Sequence, residues 1–497
     1  MKKATLWISI LMVAAVLLAA CGQPATAPAP QPTKAQGSAP TVAAPTEAPA
    51  LTQAPASTQA PASTSDKRKV VYFIGYGTGT APSQVDGQKV LIEKFNSTHN
   101  DIEVELMIVP HEEAYQRFSM LTTGGNAPEV IGAIGFADIG ILSVTGVIED
   151  LGPFINKNKF DTSIFYPSVV DIMKTFFPSG QLKALPFGIY PAMTFYNKDA
   201  FDAAGLPYPP HDYGNKSWNF DKVREMGMQL TLDKEGNNAT MPAFDPKQIT
   251  QWGYDDSNIS MRNYLFVWGA PTLGAVTTPD MKTAIINQPD WVTGAQWLSD
   301  GVWKDKFIPD AAGQATYGAV GNGDPFSTGM AAMFLAHTWY MPDGLKGITF
   351  KYDIAPVPVA PTGEQIVRAD VDGFAMVKGS DQQDAAWEFM SWMVQPDQIV
   401  DVCLIYGCLP PIQAVEAKFR GIMEQKWPGL DYDVIYKGMD YLHHNDTYVV
   451  EQKKIDDVMN NAQSLIYSGE NKDGKSVLDT LNTEVQKILD DYWAKQK

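Results

Sequence analysis

The chain has 497 residues, of which 38 are Lys or Arg and 56 are Asp or Glu, giving a formal net charge of −18. So acidic a chain repels phosphate backbones, which excludes nucleic acid as a partner. The length suffices for two or more domains, and after the first twenty residues no run of 18 or more apolar residues occurs, so a soluble body is expected.

In chain order, Met1–Ala20 joins Lys2 and Lys3 to the uncharged, mostly apolar run Leu6–Ala20, which ends in the small pair Ala19-Ala20. That order of segments reads as an export signal over 1–20, too short for a stable transmembrane helix. Cys21 follows at once, and Leu18-Ala19-Ala20-Cys21 resembles the lipobox of bacterial lipoproteins. The resemblance implies that Cys21 is acylated after cleavage and holds a mature chain of net charge about −20 to the outer face of the cell membrane. An ordinary signal peptide with a chance cysteine is the competing reading. Gln23–Asp66 is almost uncharged and contains no aromatic residue, and Gln53–Thr58 repeats directly as Gln59–Thr64. Such a composition buries no core, so 21–66 reads as a disordered tether, reaching from about 40 Å as a coil to about 130 Å extended.

From Lys67 the composition changes, and aromatic residues begin at Tyr72. Val70–Ile74 predicts a strand, Gln88–Ser97 an amphipathic helix, Ile102–Val109 a second strand and Glu112–Thr122 a second helix. This βαβα order predicts a mixed or parallel sheet covered by helices. Ligands of open α/β sheets sit beyond the carboxyl ends of strands, which makes Gly75-Tyr76-Gly77-Thr78-Gly79 a candidate contact loop. Tyr76 would offer it an aromatic face, and a plain turn is the competing reading.

An ordered series of short motifs then accumulates. Phe95-Asn96 precedes Ile102-Glu103-Val104, and Gly125–Val130, Gly146–Leu151, Ala184-Leu185-Pro186 and Tyr196-Asn197-Lys198-Asp199 follow. Gly329–Met333 with Trp339, Ala355–Pro358, Asp384–Phe389 and Gly407–Pro410 complete it. Together they resemble the family 1 extracellular solute-binding proteins of ABC importers, over nearly all of 67–497. One departure is His211–Ser217, which precedes Trp218-Asn219-Phe220-Asp221 and reads as a surface insertion.

The resemblance implies a two-lobed α/β fold of the periplasmic-binding-protein kind (type II), with 67–190 plus 356–408 as lobe 1 and 191–355 plus 409–497 as lobe 2. The chain would cross near 189–194, 352–356 and 407–411, and ligand would be trapped between the lobes as they close on the hinge. A sugar needs fixed polar partners for its hydroxyls and aromatic rings for its C–H faces. Position within the motifs selects Trp339 as the stacking platform, Tyr190 at the first crossing, Phe136 and Asp138 after Pro128-Glu129-Val130, and Asp372, for which Asp370 could substitute. Trp268 is a second candidate platform, and Tyr441 and His444 are candidates for closing one end. For the acids, solvated structural loops compete with ligand binding.

Other motifs fail on context. Gly469–Ser476 satisfies G-x-x-x-x-G-K-[ST], but the preceding segment reads as helix and Glu470 and Asp473 would repel a nucleotide, so a helix–turn–helix is expected. His111-Glu112-Glu113-Ala114-Tyr115 lacks the second His of a zinc helix, and no G-x-S-x-G elbow occurs. Neither metal nor cofactor is expected. Cys403 and Cys408 are placed to form a disulfide in an oxidising compartment, with two buried thiols as the alternative. The reading is a monomeric, lipid-anchored receptor that catalyses nothing, binds a carbohydrate, most simply an oligosaccharide, and delivers it to membrane permease subunits. The alternatives are an extracellular lipoprotein glycoside hydrolase and a receptor for a polyol or glycerol phosphate.

Overall fold

Val70, Tyr72, Phe73 and Ile74 are fully buried along the first strand, β1 (Arg68–Ile74). The computed structural model describes residues 67–175, 180–256, 261–268, 276–317, 324–443 and 449–496. Residues 1–66, with Cys21 and the segments read as signal and tether, lie outside the described residues, as does His444. After β1 come α1 (Pro82–Thr98), β2 (Ile102–Ile108), α2 (His111–Thr123), β3 (Val130–Ile134) and α3 (Phe136–Val144). β1 pairs in parallel with β2 along its whole length and with β3 on its other edge. α1 starts six residues before the predicted helix, because Pro82 at the first helical position fixes φ and gives up only an amide that the helix would leave unpaired. Its buried stripe is Gln88, Leu91, Ile92 and Phe95, at the spacing of one helical face.

The strand that organises the rest is β4 (Leu185–Asn197), thirteen residues and all of them buried. Later in the chain come α4 (Pro289–Trp303), β5 (Met333–His337), β6 (Tyr352–Ala355), β7 (Val367–Met376), α5 (Gln383–Met393), α6 (Pro396–Tyr406), β8 (Leu442–His443), α7 (Gln452–Ser468) and α8 (Gly474–Ala494). The sheet runs β2-β1-β3-β7-β4-β5, with β6 also on β4 and β8 on β7. β4 lies antiparallel to β7 from Leu185↔Phe374 to Pro191↔Ala369, then changes partners to β5 and β6 from Ala192 onward. Ile189 and Leu409 exchange two backbone hydrogen bonds, of 3.0 and 2.8 Å, so the chain beyond α6 joins β4 at this point.

Two apolar cores lie on opposite faces of the β4, β5 and β6 part of the sheet, with Phe334 and Ala336 in the first and Met333 and Leu335 in the second. The first gathers Tyr72, Phe95, Phe187, Phe374 and Phe389, and the second gathers Trp218, Trp268, Trp291, Trp297, Phe307 and Leu481. β4 feeds both, sending Ile189 and Phe195 to the first and Ala192 and Tyr196 to the second. Beyond Leu409, Val415, Phe419, Tyr432 and Ile435 pack in the first core, and Tyr441, Leu442 and then Val449 pack against or within the second. The P-loop look-alike is a helix–turn–helix. Gly469 caps α7 in the left-handed region at φ 78, and the Asp473 side chain accepts from Ser476 N at the start of α8.

Cys403 and Cys408 are free and buried, so the expected bridge is not formed. Both thiols point at one acceptor, the Phe187 carbonyl oxygen, at 3.3 and 3.9 Å. Cys408 also fills the space left by Gly188, where an added Cβ would stand 2.5 Å from its Sγ. Gly188→Ala is therefore expected to cost about 1–3 kcal/mol through overpacking. Urea denaturation monitored by tryptophan fluorescence checks it, and an unchanged midpoint would contradict this packing.

Candidate ligand cleft

Alternation along β7 builds one polar face. Arg368, Asp370 and Asp372 are two residues apart, so their side chains share a face, while Val367, Ala369 and Val371 occupy the other and are buried. Pairing brings Tyr190 opposite Asp370 and Gly188 opposite Asp372, and on the far side of β4 places His337 opposite Ala192. Arg368 is buried and spans this face: its Nη1 lies 2.8 Å from His337 Nε2 and its Nη2 donates to Asp370 Oδ1 at 2.5 Å. Burial and the neighbouring guanidinium hold the His337 imidazole well below the usual histidine range, so it is neutral and accepts from Arg368.

Trp339 follows in a short 3-10 turn, Thr338–Tyr340, with 40% of its surface exposed. Its ring stacks on His337, centroids 5.8 Å apart and planes 17° apart. Of the aromatics chosen from the sequence, this one is both exposed and braced, as a platform requires.

The end of β3 contributes the acid. Gly135 caps α3 and Asp138 sits in its first turn, accepting from the Gly135 amide. Each carboxylate lies against a glycine: an added Cβ on Gly77 would lie 3.3 Å from Asp138 Oδ2, and one on Gly135 would lie 3.3 Å from Asp372 Oδ1. Burial pushes Asp138 up to about 7, opposed by the Gly135 amide and His111 and reinforced by Asp456 of α7. Burial likewise pushes Asp372 up to about 8, with Asp370 and Asp138 adding repulsion and the Tyr190 hydroxyl, which donates to it, opposing. Asp456 is itself held by Gln452 Nε2, 2.9 Å from each carboxylate oxygen.

Tyr76 belongs to this region but is packed, edge-on to Phe118 at 5.5 Å and tilted against Tyr115 at 5.9 Å. The exposed ring here is Tyr115, at 64%. His111 Nδ1 lies 3.0 Å from the Gly75 carbonyl oxygen and ties α2 to the glycine-rich loop.

The remaining candidates fall elsewhere. Trp268 is a core residue, stacked on Phe220 at 4.1 Å with Trp297 at 5.4 Å, so it offers no face to a ligand. Tyr441 gives its ring to Tyr213, at 4.7 Å and 21°. Phe136 opens α3, but its side chain lies outside the described residues. His337 and Arg368 were missed, although the strand pattern Arg368-Ala369-Asp370-Val371-Asp372 carried a signal: charges at every second position of an otherwise apolar strand. Among the described residues no group of three or more His, Cys, Asp or Glu could hold a metal ion. A groove of about 800 Å³ between α7 and α8, lined by Val458, Leu465, Leu481 and Ile488, shares no residue with this face.

Residues 81–399 match the profile of the bacterial extracellular solute-binding proteins. The chain belongs to that family. A binding protein of Brucella abortus is 22% identical over 332 residues, covering 65% of this chain and 72% of that one. An ABC substrate-binding protein of Listeria monocytogenes, solved with cycloalternan, superposes with a TM-score of 0.70 at 20% identity over 85% of this chain and 99% of that one. UgpB of Mycobacterium tuberculosis, solved with glycerophosphocholine, gives 0.67 at 16% identity, again over 85% and 99%. The two-lobed α/β fold and the family read from the ordered motifs are thus those found. A solute-binding protein takes a small-molecule ligand, and here the polar face lies beside the strand that both cores share.

The buried acid gives a test of this environment. A carboxyl whose folded pKa, about 8, exceeds the unfolded value of 3.8 binds more protons in the folded state, so its contribution favours folding at low pH and is lost as pH rises through about 8. Asp372→Asn removes that contribution, of up to about 1.4 kcal/mol per pH unit. Melting temperatures from pH 5 to pH 9 should fall less steeply in the variant than in the wild type. Equal slopes would place Asp372 in solvent.

Proposed function

We propose that the protein is the lipid-anchored, extracytoplasmic receptor of an ABC-type importer. It captures a neutral carbohydrate of oligosaccharide size between two closing lobes and passes it to the permease without converting it. The observation that carries this reading is the exposed Trp339 ring, backed by His337, on the same side of the junction as Asp138 and Asp372. One surface suits the C–H face of a sugar ring, and the others are fixed partners for its hydroxyls.

Charge argues in the same direction. A phosphate requires a cation free to meet it, but Arg368 is already held by Asp370 and His337. Similarity to the cycloalternan-bound protein supports a saccharide, and similarity to the glycerophosphocholine-bound one supports a glycerophosphodiester. The engagement of Arg368 by Asp370 and His337 favours the former.

Thermal-shift screening of the mature chain in detergent should find at least one neutral oligosaccharide that raises the melting temperature, since a ligand at 100 times its Kd adds about 2.7 kcal/mol. Trp339→Ala should weaken that binding about tenfold or more. A shift with glycerol 3-phosphate or glycerophosphocholine and with no sugar would replace this reading, and turnover of a bound sugar would make the protein an enzyme. For the anchor, Cys21→Ala should move the protein from the membrane fraction to the soluble fraction. Retention in the membrane would remove the lipid from the proposal.

A further inference from the structure

Strand register fixes where the walls of the cleft meet. β3 ends at Ile134, level with Gly373 of β7 and through it with Pro186 of β4, and it runs toward the higher-numbered half of β4. β5 runs the other way and ends at His337, level with Ala192. The segments that follow these two strands therefore approach each other over residues 187–191 of β4. β1 and β2 run parallel to β3, so the Gly75–Gly79 loop and the start of α2 (His111–Thr123) lie at the same end of the sheet as Asp138, where open α/β sheets hold their ligands.

On this wall one ring is braced as Trp339 is on the other. Tyr115 stands in the second turn of α2 with 64% of its surface exposed. Its ring leans on Tyr76, centroids 5.9 Å apart, and Tyr76 is buried, edge-on to the core residue Phe118 at 5.5 Å. Burial first, and then the charges of Asp138 and Tyr115, push the Tyr76 hydroxyl above the usual tyrosine range, so both side chains neighbour Tyr76. The start of α2 is fixed to the same loop, His111 Nδ1 lying 3.0 Å from the Gly75 carbonyl oxygen and the Val109 amide donating to Ile74 at 3.0 Å. A lone exposed tyrosine needs no ligand to explain it, but a braced ring near a buried acid is the combination that a sugar requires. In the strand order β2-β1-β3-β7-β4-β5, Tyr115 follows the first strand and Trp339 the last, so at about 4.8 Å per strand the two rings stand on the order of 20 Å apart, a distance that a disaccharide does not cover.

Resting on the carbohydrate reading above, we propose that Tyr115 is a second stacking platform, on the wall across from Trp339, and that it makes the cleft prefer longer saccharides to disaccharides. Isothermal titration calorimetry of the mature chain in detergent tests this, with linear oligomers of glucose, mannose, galactose and xylose from dimer to hexamer. Within the series that binds, the wild type should hold the hexamer more tightly than the dimer. Tyr115→Ala should weaken the hexamer about fivefold and leave the dimer unchanged, which removes most of that preference, whereas Trp339→Ala should weaken both. Tyr115→Phe, which keeps the ring face, should bind every length as the wild type does. Tyr115→Ala binding every length like the wild type, or weakening dimer and hexamer equally, would overturn the platform, and the receptor reading would still stand on the loss caused by Trp339→Ala. Binding of no oligomer would overturn the carbohydrate reading and the platform together.

Discussion

The structure depends on one strand that is buried along its whole length and belongs to two cores. β4 can be buried only if every backbone amide and carbonyl that water would have served finds another partner. Antiparallel β7 serves the first half, β5 and β6 serve the second, and Leu409 closes the ladder at Ile189. Pro191 is the last residue of β4 paired with β7, next to where the partners change, and it has no amide to satisfy there. A break in pairing at a buried residue with a free N–H would cost a hydrogen bond.

That constraint also builds the cleft. Because β4 and β7 are paired in register, Tyr190, Asp370 and Asp372 emerge on one face, and the switch to β5 carries the same face on to His337. Crowding so many polar groups there is costly unless they satisfy one another. Arg368 does most of this, holding Asp370 with one nitrogen and neutral His337 with another, which leaves a face whose strong charge is cancelled internally. Asp138 and Asp372 are not cancelled in this way. Burial raises both, which sets them apart from the Arg368 cluster on the same face.

Much of the fold was legible because period and order carry it. The βαβα start followed from two alternating strands and two helical stripes, and the helix–turn–helix at Gly469 from acidic residues where a nucleotide site would need none. The cleft was legible only in part. Trp339 and Trp268 are the same residue type, and composition cannot say that one is propped outward on His337 while the other is pressed between Phe220 and Trp297. The pairing of Arg368 with His337 joins residues 31 apart in sequence, on strands separated by β4, and only tertiary register reveals it. The cysteines show the same limit from the other side: proximity in sequence allowed a bridge, but a shared carbonyl acceptor occupies both thiols.

The insertion at His211 shows how a departure from a family pattern acquires meaning only in three dimensions. In sequence it interrupts a run of motifs and looks like added surface. In the fold its histidine lies between two carboxylates and its tyrosine lies against a second tyrosine. Exposed ion pairs contribute little, but here one carboxylate is nearly buried and also accepts two backbone amides, from Ile354 and Asp431, so the knot is anchored to β6 and to the chain beyond α6 at once. The number of its ties makes it part of the packed body rather than added surface.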